Sequence, residues 1–285
     1  MSGQNIQSES AYGRELPGEK LETAKMPGHW LLARLGKRVL RPGGLGMTRK
    51  MLSALKLTSS DRVVEFAPGL AITAQMTLAA GPASYTAVER DAAAANQVRG
   101  RLARSQAKSP CNVITGLAQQ TGLPDASASV VYGEAMLSMQ SETHKRQIIH
   151  EAMRLLTPGG RYGIHELCLT PEDLPADAIE TIRADVTAAI HHQAAPLTAK
   201  EWEALLKSEG FEVVYRATVR MALLEPARVI SDEGFIGAAR FLWHVLRDRA
   251  ARARVLAMKR AFRQHRDHLA AICIVASKPL DTSAQ

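Results

Sequence analysis

The stretch Val63-Val64-Glu65-Phe66-Ala67-Pro68-Gly69-Leu70-Ala71 ends an apolar, β-branched run with an acid, then leads through small residues into a helical pattern. A strand, a tight turn and a helix start, in that order, aim backbone N–H groups at an anionic ligand, because the first N–H groups of a helix have no partner within it. A dinucleotide pyrophosphate needs glycines at such a turn so that the backbone can approach closely. Ala67 and Ala71 would crowd that approach, whereas a nucleotide-like ligand without a pyrophosphate escapes the restriction. His165 and Glu166 mark a second place for chemistry, near the end of the strand-like run RYGIHEL. Histidine, with an unperturbed pKa of about 6.5, suits a general base, while the glutamate could orient a hydroxyl or bind a cationic group. Neighbouring strand residues face opposite sides, so one of the two is expected to see a ligand. His191, His192, His244, His265 and His268 show no HExxH or clustered Cys/His spacing, and no metal site is expected.

The elements that must position these residues follow from periodicity. Short β-branched runs at 62–66, 84–89, 112–116, 129–134 and 161–167 alternate with helical patterns near 71–80, 91–104 and 143–156. That alternation predicts right-handed βαβ crossovers and an α/β fold with a mostly parallel sheet covered by helices on both faces. A helical stretch near 172–192 follows, then a helix over 198–209 capped by Thr198 and stopped by Gly210, and a strand over 211–223. A helical insert over about 226–268 precedes a last strand at 269–278. Ahead of all this, HWLLARLGKRVL (29–40) and residues 47–57 read as two helices, and residues 1–26 as a polar, flexible arm. The expected organisation is therefore the arm, cap-forming helices over 27–58, and one main domain over 59–285 with inserts near 172–197 and 226–268.

At 285 residues and 46% hydrophobic content the chain can bury a full core. Its longest apolar runs fall short of the roughly 20 residues that cross a bilayer, and no signal-peptide pattern opens it, so a cytoplasmic protein is expected. Cys111, Cys168 and Cys273 are far apart within apolar, strand-like runs and are expected to be buried thiols rather than a disulfide or metal framework. The net charge of +8 is concentrated in residues 1–60 and 237–268, which leaves the centre acidic. A basic rim can attract nucleic acid, an anionic membrane or an acidic substrate, although an Arg-rich helix also reads as a solvated face.

Several positions, in order and at matching spacing, resemble the class I S-adenosylmethionine-dependent methyltransferases, in particular the small-molecule branch that includes the ubiquinone and menaquinone C-methyltransferases. The resemblance covers roughly 60–223 and the last strand. Glu65 to Ala71 stand where the family has acid-x-Gly-x-Gly-x-Gly, with Gly69 alone retained among the three glycines. Glu89, followed by Arg90 in TAVERD, stands where the family places the carboxylate that binds both ribose hydroxyls. Gly116-Leu117-Ala118 and Gly122-Leu123-Pro124 resemble the family's segment beside adenine, with Leu117 in place of its common aspartate. Glu134-Ala135 close the fourth strand, and EAMRLLTPGG resembles the family's run before the fifth.

The resemblance implies a Rossmann-like, seven-stranded sheet with helical cap inserts, S-adenosylmethionine as cofactor with S-adenosylhomocysteine as product, and a small-molecule acceptor methylated by in-line displacement. It implies cofactor contacts at Glu65, Ala67, Pro68, Gly69, Glu89, Arg90, Gly116, Leu117, Ala118, Glu134 and Ala135, with the methionine ammonium near Glu65 and Glu134, and an acceptor-side base at His165 or Glu166. Phe235, Phe241, Leu242, Trp243 and Leu246 form a stripe that reads as acceptor lining, as the face packing the insert on the sheet, or as a homodimer contact. A nucleic-acid methyltransferase is the rival enzyme reading, favoured by the basic rim but opposed by GEAML, which lacks an Asn/Asp-Pro-Pro-aromatic run. A cofactor-binding partner or sensor without transfer activity is the rival outside enzymes, prompted by the reduced glycine turn and Leu117.

Overall fold

Val63-Val64 and Val130-Val131 are apolar on successive positions, as strands buried on both faces must be. The computed structural model describes residues 21–280 and pairs these two strands side by side at the centre of a sheet. In chain order the elements begin with α1 (Gly28–Arg34), α2 (Gly44–Leu55), β1 (Arg62–Phe66), α3 (Ile72–Leu78), β2 (Ser84–Glu89), α4 (Ala92–Ala103), β3 (Cys111–Thr115) and β4 (Ala128–Glu134). A 3-10 turn at Leu137–Met139, α5 (Glu142–Leu155), β5 (Leu156–Leu169), α6 (Ala176–Ile190), β6 (Leu197–Thr198) and α7 (Ala199–Ser208) come next. The remaining elements are β7 (Glu212–Arg220), α8 (Pro226–Arg247), α9 (Arg249–Gln264) and β8 (Leu269–Ser277).

The sheet runs β3-β2-β1-β4-β5-β8-β7, with the two-residue β6 pairing to β5 beside this path. Strands β1 to β5 are parallel, and β8 lies antiparallel between β5 and β7. The order reverses between β1 and β4, which opens a crevice at the strands' carboxyl ends, where open α/β sheets bind ligands. One face is covered by α5 and α7 around Trp202, Ile149 and Tyr162, the other by α2, α3 and α4 around Met51, Ala74 and Val98. Helices α1, α8 and α9 share a further apolar cluster, and Ile182 and Val186 of α6 pack on the end of β5 at Leu169.

Local signals explain most boundaries. Asp91 and Ser141 cap α4 and α5 through Ala94 N–H (3.0 Å) and His144 N–H (3.3 Å). Thr198 and Glu201 form a reciprocal capping box on α7, and Gly210, at φ +90°, ends that segment as its sequence position predicts. The first helix is shorter than its apolar spacing predicts. Helix α1 stops at Arg34 because Arg38 and Val39 donate their backbone N–H groups to Glu233 Oε1, at 2.8 Å each, and hold 38–39 out of the helix.

Of the expected flexible arm, residues 1–20 lie outside the described residues. Residues 23–26 are pinned, since Arg254 donates to the carbonyls of Thr23, Ala24 and Met26, and Met26 is buried. Cys111, expected to be buried, is exposed at the start of β3, while Cys168 and Cys273 are buried. The insert stripe splits between buried and exposed side chains, against the lining and packing readings and with no bearing on the homodimer one. Phe241 is buried, but Phe235 is 80% exposed and Leu242, Trp243 and Leu246 are each more than half exposed, because the kink at Gly234 (φ 73°, ψ 169°) redirects α8 and Phe241 with Val245 takes its packing face. Among the described residues no helix is long and apolar enough to cross a membrane.

Candidate functional site

Four chain turns meet at the carboxyl ends of β1 to β4, and between them lies a cavity of about 390 Å³, within the size range of small-molecule sites. Glu65, Ala67, Pro68 and Gly69 come from the end of β1 and its turn, and Glu89 and Arg90 from the end of β2. Gly116, Leu117 and Ala118 follow β3, and Glu134 and Ala135 close β4. The opposite wall, which the sequence did not reveal, is made by His29 and Trp30 of α1, Arg38, Leu40 and Arg41 of the next segment, and His192 after α6.

The β1 turn keeps the backbone of a glycine-rich loop with a single glycine. Ala67, Gly69 and Ala71 have φ of 50°, 53° and 53°, the left-handed region at every alternate position. Ala71 then precedes the first residue of α3, so the helix start faces the crevice. Glu89 closes the far side of this turn, with Oε2 accepting from Gly69 N–H at 3.3 Å and Oε1 from Asp91 N–H at 3.1 Å. Each oxygen has taken one donor, and a carboxylate has room for more. Burial raises the Glu89 pKa, against the pull of those backbone N–H groups.

Glu65 and Glu134, the two acids expected to share a cationic ligand group, differ sharply. The hydroxyls of Tyr85 and Tyr132 both donate to Glu65 Oε2, the latter at 2.7 Å. Burial pushes Glu65 up to about 7, with the two tyrosine hydrogen bonds opposing and Glu134 adding to the rise. Glu134 has its needs met within the chain: Arg41 Nη1 and Thr73 Oγ1 bind Oε1 at 2.6 and 2.5 Å, while Thr48 Oγ1 and His165 Nδ1 bind Oε2 at 2.6 and 2.7 Å. Burial would raise its pKa, but Arg41 and His165 outweigh that and hold it down at about 2. Glu134 thus faces the cavity as half of an ion pair with Arg41, which leaves Glu65 as the acid available to a cation.

The structure moves His165 and Glu166 away from the part of acid and base. Both are wholly buried and neither lines the cavity. His165 Nε2 accepts from Gly43 N–H at 3.1 Å, so Nδ1 carries the proton and donates it to Glu134, leaving no free ring nitrogen. Glu166 accepts from the N–H groups of Met136, Leu137 and Ser138 at 2.9–3.0 Å and from Ser138 Oγ at 2.7 Å. The two do face opposite sides of β5, as alternation predicts, but protein covers both sides. They position the loops after α1 and β4.

Residues 63–160 match the family model described as a methyltransferase domain. A Haemophilus influenzae protein, described as uncharacterized, is 28% identical over 248 residues, which span 86% of this chain and 96% of that one. Among solved structures, phosphoethanolamine N-methyltransferase 2 of Haemonchus contortus, in complex with S-adenosyl-L-methionine, has a TM-score of 0.65 at 15% identity over 88% of this chain and 56% of its own. The 4+2 cyclase SpnF has a TM-score of 0.63 at 15% identity, over 82% of this chain and 80% of its own. On the α/β Rossmann-like fold described above, residues 63–160, which hold β1 to β4 and the turns around the cavity, are thus the part of the chain that is similar to a methyltransferase domain.

Proposed function

We propose that this protein transfers the methyl group of S-adenosylmethionine to a small-molecule acceptor. The observation that carries the reading is Glu89, an acid at the end of β2 whose two oxygens each hold one backbone N–H at the mouth of a 390 Å³ cavity and keep acceptor capacity for a vicinal diol. The residues present fit the whole cofactor. The β1 turn and the start of α3 offer N–H groups to a carboxylate, Glu65 offers an anion to an ammonium, and the 116–118 segment offers an apolar wall to a base.

When bound, S-adenosylmethionine supplies an electrophilic methyl on a sulfonium centre. The chain's part is alignment and exclusion of water, which is worth about 7–11 kcal/mol of barrier when reacting groups are held in attack geometry. The Arg41–Glu134 pair, tied to Thr48, Thr73 and His165, fixes the cavity floor. Glu166 fixes the 136–138 loop beside it. Of the basic rim, Arg38 and Arg41 line the cavity but are paired with Glu233 and Glu134, and no residue of α9 lines it, so a small acceptor is favoured over nucleic acid. The likeness to the quinone C-methyltransferases rests on the motifs of the cofactor side and leaves open whether carbon, oxygen or nitrogen takes the methyl. SpnF shows that the same fold serves a cyclase, so the test must read the cofactor directly.

Replacing Glu89 with Ala is expected to weaken S-adenosylhomocysteine binding by about 1.5–3 kcal/mol, the worth of hydrogen bonds to a charged group. Titration calorimetry measures this, and Glu89→Gln, which keeps an acceptor oxygen, should lose less. Unchanged affinity in both variants would remove the ribose contact from the proposal.

A further inference from the structure

A second cavity of about 70 Å³ adjoins the first, and His29, Leu40, Ala135 and Met139 line both. Its remaining walls are apolar, from side chains such as Leu32, Val186, Ile190, Met221 and Phe262, with Ser138 as an added hydroxyl. That hydroxyl is committed to Glu166 Oε2 at 2.7 Å. His29 is therefore the side chain on this wall with polar capacity to spare. Its Nδ1 is buried without a hydrogen-bond partner among the described residues, a state that costs free energy unless a ligand relieves it. Burial, then the nearby His192 and Arg90, lower the His29 pKa to about 4, so the ring is neutral at pH 7. The ring meets Trp30 at 5.0 Å and His192 edge-on at 5.8 Å, which limits its rotation.

Resting on the methyl-transfer reading, we propose that the small chamber seats the apolar end of an uncharged acceptor and that His29 Nδ1 accepts a hydrogen bond from the acceptor's O–H or N–H nucleophile and takes its proton as the bond to the methyl forms. The acceptor's heteroatom forms its bond to the methyl carbon as the carbon–sulfur bond breaks, and that electron pair stays on sulfur in the thioether product. The acceptor's proton passes to Nδ1 and then to water in the larger cavity, whose wall the same ring forms. A chamber this small takes a short alkyl group or the edge of a single ring, and Met139, Met221 and Met258 around it can adapt to either. It supplies no countercharge, so an acceptor carrying a carboxylate or ammonium at this end is excluded.

The test is titration calorimetry of the full chain with phenol, toluene and benzoate, in saturating S-adenosylhomocysteine. Phenol is expected to bind at least fivefold tighter than toluene, its isostere without an O–H, and benzoate weakest. His29→Phe, measured with S-adenosylhomocysteine still saturating, should bring phenol down to the toluene level, and His29→Asn, which keeps an acceptor atom, should restore part of the preference. Equal binding of phenol and toluene, no binding of phenol, a phenol preference that survives in His29→Phe, or tightest binding of benzoate would each overturn the proposal. Without the cofactor product, a phenol preference in a protein that fails to bind S-adenosylhomocysteine would keep the chamber and refute the methyl-transfer reading instead.

Discussion

Ala67 shows what a side chain costs where a turn holds the backbone in the left-handed region. With a Cβ, φ near +50° is uphill by about 1–2 kcal/mol per residue. Ala67→Gly is expected to stabilise the protein by about 1 kcal/mol in urea unfolding, less than the full strain because glycine also loosens the unfolded chain. Destabilisation would show instead that the Ala67 methyl earns its place by packing. Glu65 leads to a second expectation. Its folded pKa, about 7, lies above the ordinary glutamate value of 4.5, so the native state holds this proton longer, and the stability it brings at low pH is lost as pH rises through that window. A cation placed against the carboxylate lowers the pKa again. S-adenosylmethionine binding between pH 6 and 7 should then release a proton, counted by calorimetry in buffers of different ionisation heat, and Glu65→Gln should abolish the release. The β1 turn and Glu89 were legible in the sequence because each sits at a strand end, where topology alone dictates position. His29 was not, since a lone histidine in the first turn of a helix gains meaning only when that helix folds against the 135–139 loop. His165 and Glu166 were placed at the right edge of the sheet, yet no local pattern reveals that Gly43 and the 136–138 N–H groups already occupy them.

Segment 35–43 is the element that brings the cap and the sheet into register. It is drawn out of helical form by Glu233 of α8, whose carboxylate also faces the wholly buried Lys37 at 3.6 Å, and it delivers Arg41 to Glu134. A partner nearly 200 positions away cannot be read from the spacing of HWLLARLGKRVL, which is why the helix was expected to run on. The strands and the capped helices were legible because their causes are local: alternation, Asp91, Ser141 and the Thr198–Glu201 box. The Arg41–Glu134 link predicts an acid response. The Glu134 pKa is depressed to about 2, so its stabilisation is complete above about pH 4.5 and drains away as pH falls toward 2. Urea unfolding at several pH values should show this loss in the parent chain and a smaller acid dependence in Glu134→Gln. Equal slopes would show that the pair contributes nothing net.

Across the whole molecule, alternating strands and helices announced an α/β sheet, but not that β8 would enter antiparallel between β5 and β7. Residues 269–276 are all buried there, and β8 supplies the hydrogen-bonded neighbour of both strands. A chain ending at His268 is expected to lose cooperative unfolding altogether, monitored by circular dichroism in urea, because β7 has no other place in the sheet. A retained sharp transition would mean that the five parallel strands form a self-sufficient unit. The same geometry bears on how the chain is made. On a ribosome β7 emerges first, then waits with both backbone edges bare until α8 and α9 have followed it and β8 can slip into the gap. Throughout that interval a newborn chain offers a sticky, half-greasy ribbon to its neighbours, so slow translation across the two helices should raise the yield of aggregate more than a pause anywhere earlier.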